Sequence, residues 1–375
     1  NAISPIAATR MVAGALARAA GAASPAAPDV KGPARSSDGG ATGGLSLASM
    51  PAPEELGPIG AHMAGDGFGW CNGRVLFTAG SEVAIIDEPR LLEVAATAGA
   101  TSLDHVLETF LPGAFSPAEE KQASQGGTNV RFPAAFSSPA DPGPSAEIRS
   151  CALVTDRPLV AEAVGAALKA RSIACHRIDP VSGFSAAAGS LQSLSEPIDA
   201  VVVALSSTAA STAASASAES GWSRILAEHR GLVESIHADS SWSRAAAEYS
   251  VAVGRPVRLV VLSDATTGGG RSRAQAVAQS ARIAASSTKG AVSAFAVSVE
   301  AADTEVASVL GPLVGHLLGR DDNARLAGAE LVVGPGWVGL RSHPRPAASV
   351  AYPGPAVPEW LDAILAEATG APEAR

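Results

Sequence analysis

Aromatic side chains make up only 4% of the 375 residues. Any core must therefore be assembled from the aliphatic part of the 47% apolar content. Positive charge is scarce too: the formal net charge of -9 argues against a nucleic-acid partner, where a basic stripe is expected. No apolar run approaches the roughly 18 residues of a membrane span, "AVVVAL" (200–205) being one of the longest. Cys71, Cys151 and Cys175 are few, odd in number and far apart. That suits a reducing, cytoplasmic compartment and gives neither a disulfide framework nor a zinc-binding spacing.

What is present is enough chain for two cores. Residues 1–18 read as strand, turn and short helix. Residues 19–50 become Ala/Gly/Ser/Pro low complexity, which cannot bury enough apolar area to fold alone. "PAPEELGPIGAHMA" (51–64) carries the Pro and Glu signals of a helix start. "NGRVLFTAG" (72–80) reads as a turn and a buried strand. Residues 89–122 read as an amphipathic helical extension with Leu103, Val106, Leu107 and Phe110 on one face, and "SSPADPGPSAE" (137–147) reads as a linker.

Beyond the linker the pattern becomes regular. Strands are expected at 151–156, 174–179, 199–206, 255–264, 291–300 and 328–336, separated by helices at 158–171, 223–251, 273–290 and 304–319. Such alternation implies right-handed βαβ units in an α/β, Rossmann-like, doubly wound parallel sheet. The tail "VPEWLDAILAEATG" (357–370) is an amphipathic helix with Trp360, Leu361, Ile364 and Leu365 aligned, expected to dock on a neighbouring domain or subunit.

Two pieces recur. "NGRVLFTAGSEVAII" (72–86) and "GAELVVGPGWVGLR" (328–341) share a small residue, an apolar strand, Gly and a second apolar run. Each follows a helix, and a strand precedes that helix: "NAISPIA" in one case, "SAFAVSVEA" (293–301) in the other. Segment 149–342 is therefore expected to be one complete domain, with 1–95 matching the last quarter of such a domain. Segment 96–148 connects them, and 343–375 forms the tail.

"NAISPIAATRM" (1–11) resembles the sixth strand and following turn of short-chain dehydrogenases/reductases, where Asn-x-[IV]-x-Pro leads into a Thr. "PEELGPIGAHMA" and "CNGRVLFTAGSEV" resemble the family's closing helix and strand. The wording is nearest to bacterial enzymes similar to the dehydrogenase part of peroxisomal multifunctional enzymes, which oxidise 3-hydroxyacyl thioesters. The resemblance implies that Pro5, Ile6, Ala7 and Thr9 lie beside the nicotinamide of NAD or NADP. Their role is cofactor binding, through the backbone after the Pro and the Thr hydroxyl. One departure is Ile6, where a Gly usually follows that Pro. The first five strands would come from an upstream half of the same domain or from another subunit, and the assembly would be an oligomer or pseudo-dimer. The substrate would be a small molecule or acyl thioester.

Segment 149–342 departs from the family pattern where chemistry is needed. Its first strand–helix turn, "TDRPLV" (155–160), has no glycine to let a pyrophosphate approach, and Asp156 would meet it with like charge. Gln275 and Gln279 stand at the positions matching the catalytic Tyr and Lys. An amide does not titrate, so the roughly 100- to 10,000-fold of general acid–base catalysis is lost. Ser263 matches the catalytic Ser but reads better as a strand-end residue. No catalytic residue and no metal ligand is assigned. The expectation is a degenerate reductase domain, with a scaffold or regulatory pseudoenzyme as the rival reading.

Other motifs are weaker. "GPGWVG" (334–339) fits G-x-G-x-x-G, yet it sits on the last strand and "LRSHPRP" follows where a helix should. It reads as a glycine turn packing Trp337. "GDGFGW" (65–70) and "TTGGGR" (266–271) read as turns as well. His62, His105, His176, His229, His237, His316 and His343 show no H-E-x-x-H and no pairing with Cys at ligand spacing. His229 and His237 fall on one predicted helix, and Trp222 and Trp242 are expected to pack the sheet.

Overall fold

The computed structural model describes residues 1–10, 12–13, 50–97, 102–123, 147–207, 221–319, 322–354 and 356–370. The low-complexity stretch from 19 to 49 and most of the Pro-rich linker lie outside the described residues. The chain divides into two compact units. Asn1–Pro89, Gln122–Ser137 and His343–Arg375 form the first; Arg90–Lys121 and Ser138–Ser342 form the second. The units are cut differently from the segments read in the sequence, because two strands change sides.

The first unit holds β1 (Ala2–Pro5), β2 (Val75–Ala79), β3 (Glu82–Asp87) and β12 (Arg345–Ala351), ordered β1-β2-β3-β12. β1 runs parallel to β2, with Ile3 opposite Leu76. β2 and β3 form a hairpin closed by Gly80 and Ser81, and Gly80 takes φ +64, which favours glycine. Helices α1 (Gly57–Met63) and α9 (Leu361–Thr369) complete the unit. Ile59, Phe68, Cys71, Leu76, Val83, Ile85, Tyr352, Leu361 and Leu365 form its core. Each fully buried aliphatic side chain there contributes about 1.5–3 kcal/mol. The tail helix thus docks through Leu361 and Leu365, whereas Trp360 and Ile364 face solvent. His62 Nε2 meets Asp362 Oδ1 at 2.7 Å, tying α1 to α9.

The second unit is built on eight strands: β4 (Leu91–Ala96), β5 (Ser150–Thr155), β6 (Ala174–Ile178), β7 (Ala200–Ala204), β8 (Val257–Asp264), β9 (Val292–Val299), β10 (Glu330–Gly334) and β11 (Trp337–Arg341). Their order is β6-β5-β7-β8-β9-β10-β11-β4. The six from β6 to β10 are parallel; β11 and β4 close the edge antiparallel. β5 and β7 are buried along their whole length, as strands covered by helices on both faces must be. The fold is therefore Rossmann-like, with the order reversing between β5 and β7, where open α/β sheets form their ligand crevice.

One face of this sheet carries α3 (Pro158–Ala170), α8 (Asp303–Gly319) and a helix over 103–123, α2, whose middle, Val106–Phe115, is π-wound. The other face carries α4 (Phe184–Gln192), α6 (Leu232–Val253) and α7 (Gly268–Ser287). Short α5 (Gly221–Glu228) precedes α6. The steps β8–α7–β9 and β9–α8–β10 move the same way across the sheet with their helices on opposite faces, so they have opposite hand. The other crossovers agree with α7 and follow the right-handed rule. The expectation of right-handed units throughout is corrected for β9–α8–β10. Glycine permits this placement: a Cβ at Gly311 would stand 2.4 Å from the Ala163 carbonyl oxygen on α3.

Other expectations change as well. Leu91–Ala96 is a strand, not the start of a helix, and pairs with β11 (Leu91 opposite Arg341). The region 223–251 is two helices, broken at Gly231 with φ +74, so His229 and His237 do not share one. Trp242 is fully buried under the sheet, but Trp222 is 68% exposed. Gly268, Gly269 and Gly270 form the first turn of α7 and not a loop. Their small size lets the Glu228 carbonyl oxygen approach to 2.0 Å from where a Gly269 Cβ would lie.

Candidate cofactor site

Pro5, Ile6, Ala7 and Thr9 follow one another where β1 ends. The Ile6 amide continues the ladder by donating to the Thr78 carbonyl (2.9 Å), and the Ala8 amide donates to Pro51 (2.9 Å). Thr9 Oγ1 accepts the Val12 amide at 3.2 Å, in the manner of a helix cap. Ala7 is buried, while Pro5 is exposed and Ile6 and Thr9 are half-buried. Two hydrogen bonds to neighbouring segments thus hold the turn, and the Thr9 hydroxyl keeps its proton for a further acceptor.

In the second unit the reversal of strand order brings together the ends of β5 and β7, and the protein's own groups fill the polar positions there. Thr155 Oγ1 donates to the Ala204 carbonyl (2.7 Å) and accepts the Arg157 amide (3.1 Å). Asp156 Oδ1 accepts the Ser206 amide at 2.8 Å. Arg157, 7% exposed, pairs with Asp303 at the start of α8, its Nε 3.1 Å from Oδ2 and its Nη2 bonded to Oδ1. Pro158 opens α3, so one of the helix's free N–H donors is missing. A dinucleotide phosphate needs open amides at this turn. Here the Arg157 amide is used internally, Pro158 has none, and the Asp156 carboxylate stands beside them.

The positions matching the catalytic groups are also occupied structurally. Ser263 is buried in β8, directly across from Ser298 of β9, and its hydroxyl has no hydrogen-bond partner among the described residues. Gln275 Nε2 donates to Glu330 Oε2 at 2.6 Å, and Ser298 Oγ donates to Glu330 Oε1 at 2.7 Å. Arg341 Nε lies 3.3 Å from the same carboxylate, and Arg341 also bonds Glu300. Glu330, only 1% exposed, is thus neutralised and hydrogen-bonded inside the sheet. Close by, burial pushes the Arg282 guanidinium below its usual range, with Glu119 and Glu330 opposing that shift. Gln279 is exposed to solvent.

Sequence reasoning did not find the Glu330 network. Its signal was a single acidic residue opening an otherwise apolar strand, "AELVV", with an Arg closing the strand that follows. A charge in such a strand is buried only if paired. Similarly, Asp199 at the start of β7 accepts the amides of Arg149 (2.9 Å) and Ser150 (3.2 Å) and bonds Arg255. On the opposite helices, Arg273 and Asp239 form a buried two-bond pair at 2.6 and 2.7 Å, and Arg273 Nη1 also donates to the Leu205 carbonyl. Among the described residues no cluster of His, Cys, Asp or Glu is arranged to hold a metal, and no helix is long and apolar enough to cross a membrane.

No known family's sequence profile matches the chain, and no curated protein matches it. Solved structures do align with it. A short-chain dehydrogenase from Mycobacterium avium aligns at 14% identity and a TM-score of 0.40, covering 61% of this chain and 97% of that one. A putative oxidoreductase from Escherichia coli K-12 aligns at 12% identity and a TM-score of 0.34, covering 51% and 97%. An acetoin dehydrogenase from Salmonella typhimurium aligns at 12% and 0.35, with the same coverage. These proteins are oxidoreductases similar to part of the chain, while the assignment of a Rossmann-like fold rests on the sheet itself.

Proposed function

We propose that the first unit is the cofactor-side, C-terminal portion of a short-chain dehydrogenase/reductase, and that the second is a degenerate reductase domain without catalysis of its own. The reaction would be NAD- or NADP-dependent interconversion of a hydroxyl and a carbonyl, on a small molecule such as a 3-hydroxyacyl thioester. The glycine loop and the Tyr/Lys pair would come from residues outside these 375 or from another subunit.

One observation carries this reading. The sheet of the first unit repeats the closing part of the second: a strand, a parallel neighbour, a hairpin and an antiparallel fourth strand. In the second unit β9 has a parallel strand on both sides, whereas β1, its counterpart, has one among the described residues. The free side of β1 fits one more parallel strand, and Pro5, Ile6, Ala7 and Thr9 lie at its end. NAD or NADP would then be held by the backbone after Pro5 and by the Thr9 hydroxyl. The groups that fill the turn at Thr155–Pro158 support a non-catalytic second unit.

The test is binding followed by reconstitution. Titrated with NADH and NADPH, the chain alone should show dissociation constants weaker than about 1 mM. Saturable tighter binding that survives Thr9→Ala would overturn the reading of the second unit. Fusing the five-strand half of a short-chain reductase, carrying its glycine loop and Tyr/Lys pair, ahead of Asn1 should restore cofactor binding. Thr9→Ala should then weaken it. A fusion that folds but binds neither cofactor would favour the scaffold reading.

A further inference from the structure

We propose that Cys151 and Cys175 form an oxidant-responsive thiol pair in the second unit, converted by hydroperoxide to an intramolecular disulfide. The inference is independent of the dehydrogenase reading above.

The parallel register places Cys151 of β5 directly opposite Cys175 of β6. Paired residues of parallel strands point to the same face, and both thiols pack against the same hydrophobic cluster. Neighbouring strands lie about 4.8 Å apart, inside the roughly 4.4–6.8 Å between Cα atoms that a disulfide spans. The Cβ atoms must close from about 4.8 Å to the roughly 3.5–4.5 Å of a disulfide, a movement of about 1 Å to its mean value. β6 can supply that movement, since among the described residues it ends the sheet and has a strand partner on one side alone. β5 cannot move in the same way: Asp199 grips the amides of Arg149 and Ser150 immediately before Cys151.

The two thiols differ in access, which assigns their order of reaction. Cys151 is fully buried, and Cys175 is half-exposed on the edge strand beside Arg177. Burial raises both thiols, Cys151 strongly, whereas the positive Arg177 favours the Cys175 thiolate. Attack therefore begins at Cys175. Its thiolate displaces hydroxide from the peroxide oxygen, giving a sulfenic acid while the peroxide is reduced. The Cys151 sulfur then attacks the Cys175 sulfur. The S–OH bond breaks, the S–S bond forms, and the hydroxide leaves with the Cys151 proton as water. A disulfide between adjacent strands is strained and thus readily reduced, which suits a reversible modification. Cys71, buried in the other unit's core, serves as an internal control.

The experiment treats the full chain with millimolar hydrogen peroxide, quenches, and counts thiols and maps peptides without reduction. Two of the three thiols should disappear, with the Cys151 and Cys175 peptides linked and two hydrogens lost in mass. Dithiothreitol should restore both. In Cys151→Ser, Cys175 should stop at a sulfenic acid trapped by dimedone; in Cys175→Ser, Cys151 should stay reduced. Survival of both thiols in the folded protein, or a Cys175 disulfide only between chains, would overturn the proposal. Circular dichroism of both variants separates these outcomes from a failure to fold.

Discussion

The indole of Trp337 lies over Gly334, where a Cβ would come within 2.1 Å of Cε2 and 2.3 Å of Nε1. The two residues close the β10–β11 hairpin around Pro335 and Gly336, with Gly336 at φ +78. Pro followed by a positive-φ Gly is the signature of a type II turn. The glycines of "GPGWVG" therefore serve a hairpin and a ring, and no phosphate. Gly334→Ala must displace the ring or the strand, an overpacking that costs about 1–3 kcal/mol. Urea denaturation should show the loss, and Trp337→Leu in the same background should recover part of it. No change in Gly334→Ala would mean the ring moves freely.

Arg273 and Asp239 join α7 to α6 with both groups almost fully buried. Truncating one partner leaves a buried, uncompensated charge, at a cost of about 3–5 kcal/mol. Arg273→Ala should therefore unfold the second unit at a markedly lower urea concentration. Replacing both partners with similarly sized apolar residues should cost less than Arg273→Ala alone. If the single substitution is tolerated as well as the double, water must reach the site.

The parts of the fold legible in sequence were those whose partners are close along the chain. Runs such as "CALVTD" and "AVVVAL", each preceding or following a helix with apolar residues three and four apart, announce buried parallel strands. β4 and β12 were not legible. "LLEVAA" lacks a period of two, and β12 begins Arg-Pro, which reads as a strand terminator. Pro346 is tolerated because β12 is an edge strand with a bulge at that point. Each strand finds its partner about 250 residues away: Leu91 meets Arg341, and Arg345 meets Asp87. Local pattern cannot encode that pairing. At the candidate site, the missing glycines of "TDRPLV" were visible, but not what filled the turn, since Asp303, at the start of α8, and Ser206 lie far along the chain.

Burial holds Cys151, Cys71, Cys175 and Tyr352 above their ordinary values. For each, the folded state keeps a proton that the unfolded chain releases. The stability this represents is complete below the unfolded thiol value of about 8.5 and is lost as pH rises toward the folded value. Unfolding free energy, measured under reducing conditions, should decline from about pH 8 upward. Cys151→Ala should lower stability at neutral pH through the small cavity it leaves, yet decline less steeply. Parallel curves for the two proteins would show that Cys151 titrates alike in both states.

Gln275 offers the sharpest test of whether the second unit is merely a reductase lacking two side chains. Its amide donates to the buried Glu330 carboxylate, which Ser298 and Arg341 also hold. Introducing an acid–base pair as Gln275→Tyr with Gln279→Lys therefore removes a donor from a desolvated carboxylate, at about 1–3 kcal/mol. It also leaves the turn at Thr155–Pro158 without glycine and with the Arg157 amide engaged by Thr155. The double variant should melt at a lower temperature and show no NADPH-dependent reduction of an acetoacetyl thioester above background. Gln275→Glu should be worse for stability, since two carboxylates would then share one buried site. Measurable turnover by the double variant would mean that the turn admits a cofactor and that Tyr and Lys are all this unit needs for reduction.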